Sequence, residues 1–271
     1  MDRRAWTLLL SLAAIWGASY MFIKIGLRDL SPAMVAWGRI ALAAAVLVSI
    51  AAYRRQLRLP GVGWFDLVLL SAVSVAGPFL LIGAGEEEVS SSLAGILIAA
   101  TPLFTALLAI RLDHEERAAG MRLAGVVLGL AGVALVLGVD LSGTTEELLG
   151  GGMIILAGLG YSVGSFMTKR HVASAPPTTV AAWVMVAGVV LMAPVAAANL
   201  PADAPGARPL AAVLALGLVG TGVAFVLFYE LVSTVGPTRT FIVSYLAPAF
   251  AVLYGGVLLD EPVGTAPIAG L

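Results

Sequence analysis

The sequence repeats itself after about 145 residues, and this repeat constrains the fold more than any other feature. The matching positions are Lys24 and Lys169, Pro32 and Pro177, Val35 and Val180, Gly77 and Gly222, and, after a slip of one residue, Pro102 and Pro248. Each copy contains apolar stretches of about 20 residues, the length of a membrane span, and five are predicted per copy. Because five is odd, the second copy must enter the membrane from the opposite side. Inverted repeats are typical of transporters, although a structural membrane protein could inherit the same duplication.

The composition predicts an all-α integral membrane protein. Hydrophobic residues make up 60% of the chain and charged residues only 11%, whereas a soluble domain is nearer half apolar and one quarter charged. The 15 basic and 16 acidic residues nearly balance, so nothing indicates a nucleic-acid partner. The absence of cysteine excludes disulfides, thiolate metal sites and cysteine nucleophiles. We expect the lipid bilayer and a small-molecule substrate as partners, and neither a cofactor nor a metal.

Ten transmembrane helices are predicted, arranged as two inverted five-helix repeats. The apolar stretches lie near residues 6–27, 33–53, 64–85, 92–111, 121–139, 149–168, 178–198, 209–231 and 238–258, and a tenth begins near residue 263. The first repeat covers residues 1–148, and the second covers residues 149–271. Only residues 263–271 are left for the tenth helix, and nine residues rise about 13 Å, against a hydrocarbon core of about 30 Å. We therefore expect the tenth helix to be truncated in this sequence.

The basic residues favour one orientation in the membrane. With the amino terminus in the cytoplasm, eleven of the 15 Lys and Arg residues fall in cytoplasmic segments, and only Arg28 and Arg208 fall in outer ones. Cytoplasmic loops carry an excess of basic residues. The sequence thus predicts a multi-pass protein of the plasma or inner membrane, with both termini of the full-length chain in the cytoplasm. The same topology puts the acidic run Glu86-Glu87-Glu88 outside the membrane.

Several short motifs resemble those of one family of carriers. They are Ile15-Trp16-Gly17-Ala18-Ser19 ahead of Lys24, Trp37-Gly38-Arg39, Val89–Gly95, Thr101-Pro102, Val235-Gly236-Pro237-Thr238-Arg239, Tyr245-Leu246-Ala247-Pro248 and Asp260-Glu261-Pro262. The chain resembles the EamA-type carriers of the drug/metabolite transporter superfamily along nearly its whole length. The resemblance implies ten helices, cytoplasmic termini and a central cavity between the halves. It also implies movement of small metabolites or drugs, often outward, with amino-acid exporters among the members.

The candidate substrate site is a central cavity lined by aromatic side chains. A mostly apolar cavity with a few polar tips suits an amphipathic organic solute. The candidate lining residues are Trp16, Ser19, Tyr20, Arg39, Phe79, Tyr161, Ser165, Trp183 and Tyr245. Arg39 lies about two turns inside its span and is the candidate for binding a substrate carboxylate, with a structural bridge between helix ends as the alternative. For the aromatic residues, interfacial belts and helix packing are the alternative.

Prolines within three predicted spans indicate bends. Pro102 and Pro248 lie mid-span in equivalent helices, and Pro78 follows Gly77 in the third span. Proline removes a backbone donor and clashes with the preceding turn, so the helix kinks or opens. These bends are candidate hinges along the substrate path, and packing kinks are the alternative reading.

Small residues in the fifth predicted span indicate a close helix contact. Gly125, Gly129 and Gly132 lie on one helical side, where they let backbones approach each other. The seam could lie within the repeat or between two protomers, so a homodimer is an open alternative.

The ionisable residues bear on coupling and on the competing function classes. No Asp or Glu falls in the middle of a predicted span, and the histidines His114 and His171 fall in loops. This pattern favours facilitated, gradient-driven exchange, or coupling through a carboxylate at a helix end such as Glu86 or Glu230. An enzyme would need acid, base, nucleophile or metal ligands clustered at one depth, and none is found, so we expect no enzyme activity. A non-transporting scaffold or a channel is the alternative function.

Overall fold

The computed structural model describes residues 2–58, 61–112, 128, 144–171, 175–235, 240 and 242–262. This part of the chain is helical and contains no strand. Seven helical segments, one of which (Ser91–Ala109) consists of two consecutive helices, are long and apolar enough to cross a membrane, and an eighth is apolar but shorter. The prediction of a helical multi-pass membrane protein is therefore confirmed. The predicted tenth span, the fifth span apart from Leu128, and the glycine seam predicted in that fifth span lie outside the described residues.

The helices occur in the predicted order. They are α1 (Arg3–Gly26), α2 (Pro32–Tyr53), α3 (Trp64–Glu88), α4 (Ser91–Ile98), α5 (Thr101–Leu112), α6 (Thr145–His171), α7 (Pro177–Ala198), α8 (Ala207–Val235) and α9 (Val243–Leu258). A turn at Ala99 and Ala100 separates α4 from α5 within one predicted span. Helices α3 and α8 each contain one π-helical turn, at Ala72–Ala76 and Leu218–Val223 respectively.

Serine caps begin two of the helices that follow tight turns. Ser31 accepts a hydrogen bond from the amide of Met34 at 3.3 Å, and Ser90 accepts one from the amide of Leu93 at 3.1 Å. Such caps satisfy N–H groups that have no partner within the helix. Pro32 is the first residue of α2, where its missing N–H is not needed and its fixed φ suits the helix. Local sequence therefore determines where α2 and α4 start.

The two π-helical turns lie at matching positions of the sequence repeat. The first ends immediately before Gly77, and the second contains Gly222, its counterpart. The N–H of Gly77 donates to the carbonyl oxygen of Ala72, five residues back, and a Cβ at Gly77 would collide with that oxygen. Glycine is therefore required where the first turn widens. Single π-helical turns of this kind are frequent at functional sites.

Helices α2 and α7, which match each other in the sequence repeat, run in opposite directions. They lie side by side along their length. At one end, Ser31 Oγ donates to the carbonyl oxygen of Asn199 at 3.2 Å, and at the other, Thr179 Oγ1 donates to the carbonyl oxygen of Gln56 at 2.8 Å. The start of each helix thus meets the end of the other, so the pair is antiparallel.

The remaining helix ends alternate between two faces of the bundle. We call the face with Arg3 and Tyr53 the N-terminal face, and the face with Gly26 and Pro32 the opposite face. On the N-terminal face, the start of α1 meets the end of α8 through a salt bridge between Arg4 and Glu230 at 2.7 Å. On the opposite face, the amide of Gly206, just before α8, donates to Asp29 Oδ2, just after α1, at 2.7 Å. Helices α1 and α8 are therefore also antiparallel.

The interior forms mostly between helices that precede residue 112 and helices that follow residue 144. Helix α1 packs on α8 and α9, whereas α6 packs on α3, α4 and α5, and α2 packs on α7 and α8. Buried side chains of α2, α3 and α7 form the largest core cluster, with Ile40, Leu67 and Met185 at its centre. Large apolar side chains such as Leu107 and Leu214 are exposed, as expected for helices that contact lipid.

Candidate substrate site

A buried arginine lies where five helices meet. Arg39 of α2 is 8% exposed, and its Nε donates a hydrogen bond to Thr221 Oγ1 of α8 at 2.7 Å. The guanidinium lies over the ring of Phe79 of α3, 3.7 Å from the ring centroid, and that ring meets Tyr161 of α6 edge-on at 6.5 Å. Tyr20 of α1 and Tyr161 pack against the same group of buried side chains, which contains Ile82 and Leu216. We call Arg39, Thr221, Phe79, Tyr161 and Tyr20 the Arg39 cluster.

Local features of α2 and α8 bring the cluster together. Arg39 lies seven residues after Pro32, so it is two turns inside α2. Gly217 allows α8 to approach α2 closely, because a Cβ there would lie only 3.1 Å from the carbonyl oxygen of Arg39. In the π-helical turn that follows, Thr221 Oγ1 donates to the carbonyl oxygen of Leu216 at 3.1 Å. This bond orients the hydroxyl so that its oxygen accepts from Arg39.

The chemistry of this arrangement suits an anionic group. The guanidinium of Arg39 is always charged, and its planar fork of N–H donors matches a carboxylate bidentately. Within the described chain, the side chain of Arg39 makes one hydrogen bond, from Nε to Thr221, so its two terminal amino groups are left for another acceptor. The ring of Phe79 holds the guanidinium flat through a cation–π contact. The role of Arg39 in binding a carboxylate stays a prediction, and the donors that Thr221 leaves unused are of the type that this role requires.

Trp16 and Ser19 lie beside the cluster on α1. Ser19 is buried, and its hydroxyl oxygen is 3.1 Å from the point where a Cβ of Gly220 would lie, next to the π-helical turn of α8. Trp16 lies one turn nearer the N-terminal face and packs on Phe228 of α8, with ring centroids 5.7 Å apart. Six predicted lining residues therefore share one region: Trp16, Ser19, Tyr20, Arg39, Phe79 and Tyr161.

The other three predicted lining residues have surroundings of their own. Tyr245 is 66% exposed on α9, and Ser165 is exposed on α6. Trp183 Nε1 donates to the carbonyl oxygen of Leu57 at 3.3 Å, at the N-terminal face. The sequence could not separate these residues from the other six, because hydropathy does not reveal which side of a membrane helix faces the interior.

The three predicted hinge prolines occupy different settings. Pro78 is buried next to Phe79, directly after the π-helical turn of α3, and Pro248 lies inside α9, which continues past it. Pro102 is the second residue of α5, after the break at Ala99 and Ala100. Polar side chains donate hydrogen bonds to the carbonyl oxygens at this break. Thr101 Oγ1 donates to the carbonyl oxygen of Ile98 at 2.6 Å, and Ser162 Oγ donates to the carbonyl oxygen of Thr101 at 2.9 Å. Irregular backbone within a membrane requires such partners.

Glu86 is a functional candidate whose burial the sequence did not predict. Helix α3 continues to Glu88, beyond the predicted end of the span at residue 85, and Glu86 has no exposed surface. The position of the acidic run outside the membrane stays a prediction. Neither of its carboxyl oxygens has a hydrogen-bond partner within the described chain. The ammonium of Lys24 bonds the backbone carbonyl oxygens of Glu86 and Val89 instead, the latter at 2.9 Å. One signal was available: Glu86 lies seven residues after Phe79, which puts both on the same face of α3.

Comparison with known proteins identifies the family. The model of the EamA-like transporter family matches twice, over residues 4–138 and 148–271. The chain belongs to the EamA-like transporter family. It is a membrane transporter and not an enzyme, as the sequence predicts. Within the described residues, no group of three or more His, Cys, Asp or Glu side chains could hold a metal ion.

Similar proteins from other organisms bear transporter names. An uncharacterized transporter of Archaeoglobus fulgidus is 27% identical over 96% of this chain and 91% of its own length. The uncharacterized inner membrane transporter YedA of Escherichia coli K12 is 29% identical over 93% of this chain and 82% of its own. A protein of Streptantibioticus cattleyicolor named "Probable terminal-alkyne amino-acid exporter" is 26% identical over 96% and 87% of the two chains. One solved crystal structure shares the fold, with a TM-score of 0.73, 21% identity and coverage of 100% of this chain and 94% of the other.

A carboxylate joins the two halves of this EamA-like transporter on the opposite face. Glu261, which follows α9, accepts hydrogen bonds from the amides of Ser91 and Ser92 at 2.8 and 3.0 Å and from Ser92 Oγ at 2.7 Å. It thus caps the first turn of α4, where N–H groups lack helical partners and the helix dipole favours negative charge. Partial burial acts to raise the pKa of Glu261, but these hydrogen bonds outweigh it and hold the pKa below its ordinary value of 4.5.

Proposed function

We propose that this transporter exports amino acids, related small metabolites or drugs across the plasma or inner membrane by alternating access. The observation that carries the proposal is the Arg39 cluster, because its members come from both halves of the chain. Arg39 and Phe79 precede residue 112, whereas Tyr161 and Thr221 follow residue 144. A site shared by two halves can open to either side when one half rocks against the other. Substrate would lie among these side chains, with Trp16 and Ser19 beside it.

The rocking halves in this proposal are two inverted five-helix repeats, residues 1–148 and 149–271. Three observations support the proposal: the two separate family matches, the antiparallel pair α2 and α7, and the matching π-helical turns of α3 and α8. The distribution of basic residues favours cytoplasmic termini in the full-length chain. Pro78, beside the first π-helical turn, is the hinge that we connect with the Arg39 cluster, and Pro102 and Pro248 are further candidates.

An amino acid or a related carboxylate is the substrate class that the cluster suits best. The free amino groups of Arg39 would bind the carboxylate, and the rings of Phe79, Tyr161 and Tyr20 would contact an apolar side chain. The name of the Streptantibioticus cattleyicolor relative, an amino-acid exporter, supports the same class. Drugs and other metabolites stay in the test panel because aromatic cavities accept many amphipathic solutes.

The test is transport by the purified full-length protein in liposomes. Radiolabelled amino acids, purines and cationic drugs would be offered with and without an imposed pH gradient. Arg39→Ala and Trp16→Ala remove the proposed contacts, and Arg28→Ala, at an exposed position after α1, is the matched control for the loss of one positive charge. Removal of a charge-assisted hydrogen bond costs about 1.5–3 kcal/mol. We therefore expect the KM for a carboxylate substrate to rise about 10- to 100-fold in Arg39→Ala and to stay unchanged in Arg28→Ala.

A decarboxylated analogue separates substrate binding from a structural role of Arg39. If Arg39 binds the carboxylate, Arg39→Ala should leave the KM of the corresponding amine unchanged. If Arg39→Ala raised the KM of the amino acid and of its amine equally, the role of Arg39 would be helix packing. Folded wild-type protein without saturable flux of any solute would favour the scaffold or channel alternative.

A further inference from the structure

The carboxyl group of Glu86 needs a partner that the described chain does not provide. It is completely buried in α3, and neither oxygen has a hydrogen-bond partner among the described residues. An ionised carboxylate is very costly to bury unless it is paired, and ionisable groups inside membrane proteins usually serve function. Lys24 is close, yet its ammonium bonds backbone carbonyl oxygens at the end of α3. Helix packing alone gives no reason for an acid at this position.

The charged and titratable groups around Glu86 come from several elements. They are Tyr20 and Lys24 on α1, Arg39 on α2, Glu261 after α9, and the exposed Glu87 and Glu88 on α3 itself. Lys24 and Arg39 are the cations among these groups, and none of the named groups hydrogen-bonds the carboxyl oxygens of Glu86. This environment leaves the charge state of Glu86 free to change without breaking a bond of the fold.

A proton fits this site better than any other cation. Glu86 has no exposed surface, so a metal ion or an ammonium group has no space beside it in this conformation. The substrate's own ammonium is also a poor match. Glu86 lies two turns beyond Phe79, about 10 Å along α3, whereas the ammonium and carboxylate of an α-amino acid sit on the same carbon. The α-ammonium of an amino acid whose carboxylate is bound at Arg39 would therefore not reach Glu86.

We propose that Glu86 is a proton-binding site coupled to carboxylate binding at Arg39. The inference rests on the proposed transport function. In a state open to one side, a Glu86 oxygen takes a proton from water and forms a neutral carboxyl group. In the state open to the other side, that O–H bond breaks and the proton returns to water. No other bond forms or breaks, and no redox partner is required.

The sign of the coupling follows from the charges. Ionised Glu86 partly cancels the field of Arg39 and repels an incoming carboxylate, whereas neutral Glu86 does neither. The helical rise from Phe79, beneath the guanidinium, to Glu86 is about 10 Å. If the two charges are separated by that rise, Coulomb's law with an effective dielectric constant of about 20 makes this a roughly tenfold effect on affinity. Binding linkage is reciprocal, so substrate also promotes protonation. Proton and substrate therefore move in the same direction, and an outward substrate gradient carries protons outward.

The first test measures substrate KM and proton movement in proteoliposomes that contain a trapped pH dye, with radiolabelled proteinogenic amino acids as probes. Glu86→Gln mimics the protonated state permanently, and Glu87→Gln makes the same change at an exposed neighbour. We expect the wild-type KM to rise roughly tenfold from acidic to alkaline pH, with Glu87→Gln following it. Glu86→Gln should keep a low, pH-independent KM and exchange substrate without moving protons. Proton movement by Glu86→Gln, or an unchanged pH profile, would overturn the proposal, as would loss of exchange in folded Glu86→Gln.

A second test does not require a substrate. Infrared difference spectra of the wild type in lipid, recorded on acidification, should contain the high-frequency C=O band of a neutral carboxyl without hydrogen bonds. The band should be missing from Glu86→Gln and present in Glu87→Gln. Its persistence in Glu86→Gln overturns the proton site. If wild-type protein exchanges none of the probes, the transport proposal fails. The infrared band then shows separately whether Glu86 binds a proton.

Discussion

Gly17 of α1 faces the backbone of α9 without room for a side chain. A Cβ at this position would lie 2.5 Å from the Cβ of Phe250, 2.7 Å from the carbonyl oxygen of Ala247 and 3.0 Å from the amide nitrogen of Ala251. Two of these atoms belong to the backbone and the third is a Cβ, so no side-chain rotation relieves the contact. We therefore expect Gly17→Ala to push α1 and α9 apart and to lower the stability of the fold.

The size of the effect follows from the displacement that alanine requires. To reach an ordinary contact distance of 3.4 Å, the Cβ atoms at positions 17 and 250 would have to move 0.9 Å farther apart than the present 2.5 Å. Overpacking of a close-packed interior costs about 1–3 kcal/mol. The better helix propensity of alanine offsets little of this cost, because membrane helices stay formed in lipid when tertiary packing is lost. A loss of about 1–3 kcal/mol corresponds to a Tm lower by about 2–12 °C for a chain of this size.

Gly152→Ala is the matched control, since Gly152 lies in α6 and a Cβ there meets no atom within 4 Å. The wild type and both variants would be heated in the same lipid–detergent micelles while tryptophan fluorescence reports unfolding. Gly152→Ala should stay within about 0.5 kcal/mol of the wild type. Equal Tm values for Gly17→Ala and Gly152→Ala would refute the close packing of α1 against α9.

Two further predictions concern the polar contacts that join the halves. Thr221→Val keeps the side-chain shape but leaves the buried Nε of Arg39 without its acceptor. Thermal unfolding should show that the free energy of unfolding falls by about 1–3 kcal/mol, and Thr221→Ser should recover most of this stability. A valine variant as stable as the wild type would contradict the importance of the bond. Glu261→Gln weakens the cap on α4 by about 1 kcal/mol at pH 7. The pKa of Glu261 is held below its ordinary 4.5, so its contribution to stability is complete above pH 4.5 and is lost as the pH falls through the lower folded value. The Tm values of the wild type and Glu261→Gln should therefore converge in acid. A difference in Tm that stays constant with pH would refute this prediction.

The sequence determined the helical framework of the protein. The length and polarity of its apolar stretches predicted the observed helices, and the pairs Ser31-Pro32 and Ser90-Ser91 marked helix starts, because capping depends on neighbouring residues alone. The repeat also pointed to Gly77 and Gly222, which lie at the two π-helical turns. Arg39 was singled out because a charge within an apolar span is rare and therefore conspicuous.

Only the tertiary structure decided which sides of the helices meet. In a membrane, the lipid-facing and interior-facing sides of a helix are both apolar, so hydropathy carries little directional signal. For this reason the sequence could not separate Phe79 and Tyr161, which meet beneath Arg39, from Tyr245, which is exposed. The sequence also gave no indication that Glu86 is buried, because a run of acidic residues is typical of the end of a span. The bonds from Lys24 of α1 to the carbonyl oxygens of Glu86 and Val89 join residues 62 and 65 positions apart, and no local pattern encodes such contacts.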